Sequence, residues 1–275
     1  MKTLGRFQIV ALALLGLVLL APLSLEAAGT SLLETVQQRG RVIVGVPTDA
    51  VPFGSIDKTG NRVGFSMDLA KEIADALKVK LELRDTNPTT RIPLIQSGGV
   101  DVVIEPSLIT KKRMEVVDFT VPYYMDLKGN RMIVEKGSAI KGYGDLGGKT
   151  VAVIQGSIAI DRIKRNAPNA KLLILQDYPA TLLALKRGQA DALFAMDYIV
   201  AEMLEKNRGE NFEATPPLME IQLIGMMVRQ NDSKWRNAID FVLHDLWQSK
   251  KYHEIYRKHF QRDPHPNFSI PQWEF

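Results

Sequence analysis

The chain has 275 residues, enough for one large hydrophobic core or two smaller ones. Its 35 basic and 31 acidic side chains leave a net charge of only +4, too small a bias to indicate a nucleic-acid-binding surface. The sequence contains no cysteine, which excludes disulfide bonds, thiolate metal sites, a cysteine nucleophile and a lipid-modified N-terminal cysteine.

The N-terminus has the features of a secretory signal peptide. Basic residues flank an apolar run from Ile9 to Ala21, and small residues follow at Ala27 and Ala28. A retained membrane anchor is the alternative, but this run is shorter than the roughly 20 apolar residues that span a bilayer. We therefore predict that residues 1–28 are cleaved and that the mature protein is soluble and periplasmic.

The first half of the mature chain alternates predicted strands and helices. Apolar runs predict the strands, and the spacing of Leu69, Ile73 and Leu77 is typical of a helix. The segment 57–61 has the composition of a turn. Predicted strands are 42–46, 81–83 and 101–104, and predicted helices are 33–38, 69–77, 90–96 and 111–117.

The same alternation restarts near residue 150. Predicted strands are 150–154, 172–175 and 192–195, and predicted helices are 158–165, 180–186 and 198–204. An extended, tyrosine-rich segment at 122–127 precedes this series, and a strand at 222–228 follows it. The chain then closes with one long amphipathic helix, predicted from Ser233 to about Phe260.

Two such series predict an α/β fold with two lobes, each a mostly parallel sheet flanked by helices, joined by a two-stranded hinge. We place the first lobe at 29–124 and 224–275 and the second at 125–223, with hinge crossings near 124–127 and 222–224. Ligands of open α/β sheets bind beyond the carboxyl ends of the strands. We therefore expect a site in the cleft between the lobes and a closing motion of the hinge.

Ordered sequence blocks extend over nearly the whole mature chain. They are 44–46, 49–53, 63–70, 91–98, Asp101, 110–113, 117–119, 122–124, 145–153 and 155–157. In this order and spacing they resemble the bacterial extracellular solute-binding proteins of family 3, the periplasmic receptors of ABC importers for polar amino acids. The resemblance implies a type II-like periplasmic binding protein fold, an amino acid or related carboxylate as ligand, and an ABC permease in the membrane as partner. It also implies a monomer with no cofactor and no catalytic activity.

The resemblance assigns Arg113 to the α-carboxylate of the ligand, because a planar guanidinium can hold a carboxylate through two hydrogen bonds. A surface arginine beside Lys111 and Lys112 is the alternative. Ser157 follows Gln155 and Gly156 at a strand-to-helix turn. It is expected to present backbone N–H groups and a hydroxyl to the same carboxylate, a role compatible with that of a helix N-cap.

The ammonium group of the ligand is assigned, also by resemblance, to Asp197. An N-cap for the helix that begins beside it is an equally weighted alternative. Relatives place the acid at either of two neighbouring positions, and this chain has Met196 at the earlier one.

The segment 105–108 departs from the family pattern. Pro106 has no N–H group, and Leu108 replaces a hydroxyl residue, so the backbone N–H of Leu108 is left to contact the carboxylate. Glu105 and Asp49 give the pocket a negative side, which favours a polar or cationic ligand side chain over an acidic one. The predicted ligand-binding residues are Asp49, Phe65, Glu105, Pro106, Leu108, Arg113, Gln155, Ser157 and Asp197.

Alternative functions come from two other classes. Some relatives are cyclohexadienyl dehydratases, which act on prephenate or arogenate, and Glu105 would then be a general acid. A signalling input domain is the third hypothesis, but such domains normally continue into a membrane span or a second domain.

Two further motifs indicate no site. A Gly-x-Gly-x-x-Gly match at 142–147 lacks the strand before it and the helix after it that a dinucleotide site needs, and the four histidines lack metal-ligand spacing.

Overall fold

The computed structural model of the protein describes residues 30–218 and 220–273. The predicted signal peptide, residues 1–28, lies outside this part of the chain. Within the described residues, no helix is both long enough and apolar enough to cross a membrane. The helices are α1 Leu32–Arg39, α2 Phe65–Ala76, α3 Arg91–Gln96, α4 Lys111–Met114, α5 Ala159–Asn166, α6 Tyr178–Lys186, α7 Asp197–Lys206, α8 Ser233–Gln248 and α9 Lys251–Phe260. The strands are β1 Arg41–Val46, β2 Asp49–Ala50, β3 Gly54–Ile56, β4 Arg62–Val63, β5 Lys80–Asp85, β6 Val102–Val103, β7 Asp118–Asp126, β8 Asn130–Glu135, β9 Thr150–Ile154, β10 Lys171–Leu175, β11 Ala192–Met196, β12 Phe212–Ala214 and β13 Gln222–Val228.

The first of two five-stranded sheets has the order β5-β1-β6-β13-β7. Strand β1 pairs in parallel with both β5 and β6, so that Val44 lies opposite Leu83 on one side and Val102 on the other. Strand β13 is antiparallel to both β6 and β7, and the remaining strands therefore all run in one direction. The continuous apolar run of β1 is typical of a strand covered on both faces.

The second sheet repeats this plan with the order β10-β9-β11-β8-β12. Strand β9 pairs in parallel with β10 and β11, so Val151 lies between Leu172 and Ala192. Strand β8 is the reversed strand here, because it is antiparallel to both β11 and β12. The predicted α/β class, with two lobes built on mostly parallel sheets, is confirmed.

Two connections join the sheets. One runs from the end of β7 at Asp126 to the start of β8 at Asn130, and the other runs from β12 to β13. At this point β7 and β13 lie side by side, with Gln222 opposite Asp126. A three-stranded sheet of β2, β3 and β4 adjoins the first lobe; the sequence prediction contained neither this sheet nor β8.

The predicted long C-terminal helix is wrong, since the segment forms two helices. Helix α8 ends at Gln248, and Lys250 takes a left-handed conformation with φ of 64° before α9 begins. The hydroxyl of Ser249 donates to the carbonyl of Asp245 over 2.7 Å, which satisfies one of the terminal carbonyls of α8. The break lets the aromatic residues of α9 pack into the core of the first lobe.

Candidate ligand-binding site

A cavity of about 60 Å³, partly open to solvent, lies between the two lobes. Its lining residues lie largely beyond the carboxyl ends of strands, where a ligand site is expected in an α/β fold. The first lobe contributes Asp49, Ala50, Pro88, Arg91, Glu105, Pro106, Leu108 and Arg113. The second lobe contributes Asn130, Ile154, Ser157, Ile158, Ala159, Tyr178, Phe194, Ala195, Met196 and Tyr198.

Arg113 bridges the two lobes at the cavity wall. Its guanidinium Nη1 donates to the carbonyl of Leu108 over 2.8 Å, and Nη2 donates to the carbonyl of Gly156 over 3.2 Å. Burial, followed by the neighbouring guanidinium of Arg91, lowers the pKa of Arg113 to about 9, so the group stays cationic at neutral pH. A guanidinium carries five N–H donors, and Arg113 therefore retains donors for a ligand carboxylate.

The N-terminus of α5 lies at the opposite wall, on the second lobe. Ser157 does not cap this helix, whose N-cap residue is Ile158, and its hydroxyl donates to the carbonyl of Ile154 over 2.7 Å. Ile158 and Ala159, at the start of the helix, line the cavity directly. The first-turn N–H groups of a helix have no intrahelical acceptor, so this wall offers donors to an anion.

Gly156 allows this wall to approach the first lobe closely. It has a φ of +74°, and a Cβ built on it would lie 2.3 Å from the carbonyl oxygen of Pro88. A side chain at this position would therefore need both a left-handed backbone and a displacement of the facing lobe.

Glu105 forms a buried ion pair with Arg91, a residue that the sequence prediction did not assign to the site. The Arg91 Nη1 atom lies 2.9 Å from Oε1 of Glu105, and each residue is only 3 % exposed. The second carboxylate oxygen of Glu105, Oε2, is buried and has no hydrogen-bond partner. Leaving such an atom unpaired costs about 1–3 kcal/mol or more, so it favours a donor from a bound ligand.

Asp49 and Tyr178 complete the polar side of the cavity. Partial burial, and next the charge of Glu105, raises the pKa of the Asp49 carboxyl, although this side chain keeps access to solvent. Burial and then the charges of Asp49 and Glu105 raise the pKa of the Tyr178 phenol. The two carboxylates therefore act on the same region, which is the negative side expected from the sequence.

The structure brings together six of the predicted ligand-binding residues and places three elsewhere. The six that line the cavity are Asp49, Glu105, Pro106, Leu108, Arg113 and Ser157. Phe65 instead lies in the core of the first lobe, fully buried, with its ring 6.0 Å from that of Phe53 and 6.1 Å from that of Tyr123. Gln155 is exposed, and its side-chain oxygen accepts a hydrogen bond from Gln176 over 2.7 Å.

Asp197 also lies away from the cavity lining. It is the first residue of α7, and its two carboxylate oxygens are each 3.2 Å from a cation, Nη1 of Arg131 and Nζ of Lys128. The preceding residue, Met196, lines the cavity in its place. This difference from the sequence prediction arises where β11 turns into α7, because consecutive residues there point in different directions.

Further contacts hold the lobes against each other beside the cavity. The backbone N–H of Val51 donates to Oε2 of Glu202 over 3.1 Å, and the rings of Phe53 and Tyr198 lie 5.0 Å apart. An exposed ion pair, 3.1 Å long, joins Lys112 to Asp161. These contacts join the two lobes while the cavity stays partly open to solvent.

Comparisons with known proteins agree on one family. A model of the bacterial extracellular solute-binding proteins, family 3, matches residues 42–262. The chain is 31% identical over 237 residues to the ABC transporter glutamine-binding protein of Bacillus subtilis (strain 168). The matched region covers 84% of this chain and 85% of that protein. The solved structure of an ancestral arginine-binding protein bound to arginine is similar, with a TM-score of 0.76, 32% identity and coverage of 81% of this chain and 99% of that one. The structure of an ancestral amino acid-binding protein, a precursor of cyclohexadienyl dehydratase, has a TM-score of 0.75 and 29% identity, covering 84% of this chain and 100% of that one.

Proposed function

Because the chain belongs to the bacterial extracellular solute-binding proteins, family 3, we propose that it captures an amino acid outside the cytoplasm and delivers it to the permease of an ABC importer. The signal peptide predicted at 1–28 would export it to the periplasm, where it acts as a monomer. It needs no cofactor for this role, since capture requires only a cleft, a hinge and a surface for the permease.

The observation that supports this proposal most strongly is the buried guanidinium of Arg113 facing the N-terminus of α5 across the cavity. An amino acid brings a carboxylate that is costly to desolvate unless it is paired. In the proposed complex this carboxylate accepts hydrogen bonds from Arg113, from the backbone N–H of Leu108 and from the first turn of α5. Ser157 supports the turn that presents those N–H groups.

The charges of the cavity favour a ligand side chain that is polar or cationic. Arg91 is already paired with Glu105, while Asp49 faces the cavity under the charges of Glu105, Asp177 and Glu202, all of which are acidic. An additional carboxylate on the ligand would meet both acids. The names of the relatives include this class, since one is a glutamine-binding protein and another is an ancestral arginine-binding protein bound to arginine, but they also include glutamate/aspartate-binding proteins, so the ligand class rests on the charges of the cavity.

Closure is proposed to follow docking on the first lobe, 29–124 and 224–275. The second lobe, 125–223, would then rotate about the crossings near 124–127 and 222–224. Closure forms the bond from Arg113 to Gly156 and excludes water, which strengthens the polar contacts in the cavity.

A thermal-shift panel of the mature protein against the common amino acids tests the proposal. We expect a polar or cationic L-amino acid to raise the melting temperature most, because a ligand that binds only the native state stabilises it. Stabilisation by aspartate or glutamate alone would contradict the ligand class. Stabilisation by no amino acid would contradict the function itself.

A dehydratase is the second candidate, supported by Glu105, a cavity-lining residue with one buried and unpaired carboxylate oxygen, and by the similarity to the precursor of cyclohexadienyl dehydratase. We favour the receptor because the family and the relatives reported above are binding proteins. Incubating the protein with prephenate or arogenate separates the two functions, since only the enzyme forms an aromatic product.

A further inference from the structure

We propose that the ammonium group of the ligand binds to Glu105, on the first lobe, and not to Asp197, on the second. This inference deepens the proposed function and rests on it, because it assigns the cation-binding residue of the same cavity.

Asp197 is already neutralised by its surroundings. Its carboxylate oxygens pair with Arg131 and Lys128, one oxygen to each cation, and the residue does not line the cavity. To reach a ligand, its side chain would have to abandon both ion pairs. The proximity of two cations would also weaken its attraction for an ammonium group.

The lining of the second lobe carries no carboxylate in place of Asp197 among the described residues. The position next to Asp197 is occupied by Met196, whose sulfur accepts a hydrogen bond from the hydroxyl of Tyr198 over 3.3 Å. A thioether is a weak acceptor and provides no charge for an ammonium ion. The second lobe therefore offers the ligand aromatic and apolar surface together with the N–H groups of α5.

Glu105 has the properties that Asp197 lacks. It lines the cavity, it is buried, and only one of its two oxygens is engaged by Arg91. The other oxygen, Oε2, has no partner, so a donor placed in the cavity would satisfy a group that otherwise stays unpaired. Asp49, on the same side of the cavity, adds a second negative charge.

The consequence is that both charged groups of an amino acid bind to one lobe. Arg113 holds the carboxylate and Glu105 holds the ammonium, and both residues precede the hinge crossing at β7. The ligand would thus make its charged contacts before closure. The second lobe would then add the donors of α5 and the rings that cover the bound molecule.

The experiment compares ligand preference in Glu105→Gln and Asp197→Asn. Each variant is titrated with the amino acid that stabilises the wild type most and with its deamino analogue, which is glutaramic acid for glutamine or 5-guanidinopentanoic acid for arginine. The ratio of the two dissociation constants measures recognition of the ammonium group. A general loss of affinity or stability affects both ligands and cancels in this ratio.

We expect the wild type to bind the amino acid roughly 10- to 100-fold more tightly than the deamino analogue, because this is the affinity that a hydrogen bond to a charged group contributes. Glu105→Gln should lose most of this preference, and Asp197→Asn should keep it within about threefold, since loss of a contact outside the site changes little. Should Glu105→Gln fail to fold beside Arg91, Glu105→Asp keeps the charge but withdraws the carboxylate by one methylene, and it should reduce the same ratio.

The proposal is overturned if the foldable Glu105 variant keeps the full preference or if Asp197→Asn loses it. In both of those outcomes the wild type still binds an amino acid, so the proposed function survives. If the wild type binds no amino acid, the proposed function fails and this inference fails with it.

Discussion

Replacing Arg113 by Ala is the perturbation with the largest expected effect on binding. The guanidinium makes one hydrogen bond within its own lobe, to Leu108, and one across the cleft, to Gly156. The first bond can exist whether the lobes are open or closed, whereas the second requires closure. Arg113→Ala therefore removes the proposed carboxylate partner and one contact of the closed state together.

The magnitude follows from burial. Removing one partner of a buried charge pair costs about 3–5 kcal/mol, because the remaining charge is left uncompensated. At 1.4 kcal/mol for each factor of ten, the dissociation constant should rise roughly a hundredfold to several thousandfold. The fold should survive, since the vacated space borders a cavity that opens to solvent.

Lys112 provides the matched control on the same helix. Its side chain is 76% exposed, and its amine pairs across the cleft with Asp161, whose side chain is 48% exposed. An exposed pair contributes about 0.2–1 kcal/mol, so Lys112→Ala should change affinity by less than about fivefold. Calorimetric titration measures the dissociation constants of both variants, and circular dichroism checks that both are folded. Equal affinities of Arg113→Ala and wild type would refute the assignment of Arg113 to the site.

Two further variants test closure and the core. Gly156→Ala would place a methyl group 2.3 Å from the carbonyl oxygen of Pro88, so we expect its affinity for the ligand to fall at least about tenfold because closure is hindered. The control Gly147→Ala has open space around the new methyl group and should bind the ligand as wild type does. Equal ligand affinities of the two variants in a calorimetric titration would contradict this expectation. Burial raises the pKa of Asp240 from 3.8 to about 6, although its carboxylate accepts a hydrogen bond from the N–H of Val121. Because the folded-state pKa is the higher one, ionisation destabilises the fold as pH rises from about 4 through 6. Asp240→Asn keeps an acceptor and loses the charge, so its free energy of unfolding should exceed that of wild type by up to about 3 kcal/mol at pH 8 and by little at pH 4. Urea titrations measure the free energy of unfolding of variant and wild type at both pH values. A difference between the two proteins that is the same at pH 4 and pH 8 would refute the role of the charge.

The regular part of the fold was predictable because it depends on local patterns. Buried strands such as β1 and β9 are continuous apolar runs bounded by turn residues, and the structure begins them within a residue of the prediction. The family resemblance is confirmed for the same reason, since its blocks extend over most of the chain. The break between α8 and α9 was not predictable in this way. Lys250 adopts a left-handed backbone with no glycine or proline to mark it, and the turn there lets α9 pack on the first lobe.

The lining of the cavity was predictable where the family resemblance supplied a residue, and the prediction failed where one position decides the direction of a side chain. Arg113 was assigned by its place in the family pattern, and the structure places it in the cavity lining, while its contact with a carboxylate stays a prediction. Asp197 and Met196 are neighbours at the end of β11, and the sequence could not show which of them faces the cavity. Tyr178, at the first position of α6, gave no signal beyond an ordinary helix start. Arg91, at the first position of α3, belongs to a block that carries the family resemblance, but no site role was assigned to it.

The most direct test of the central claim is a calorimetric titration of the mature protein with the amino acids that stabilise it. We expect one binding site, filled by a polar or cationic L-amino acid, with binding weakened at least about a hundredfold in Arg113→Ala. No binding of any amino acid, or binding that is unchanged in Arg113→Ala, would contradict it.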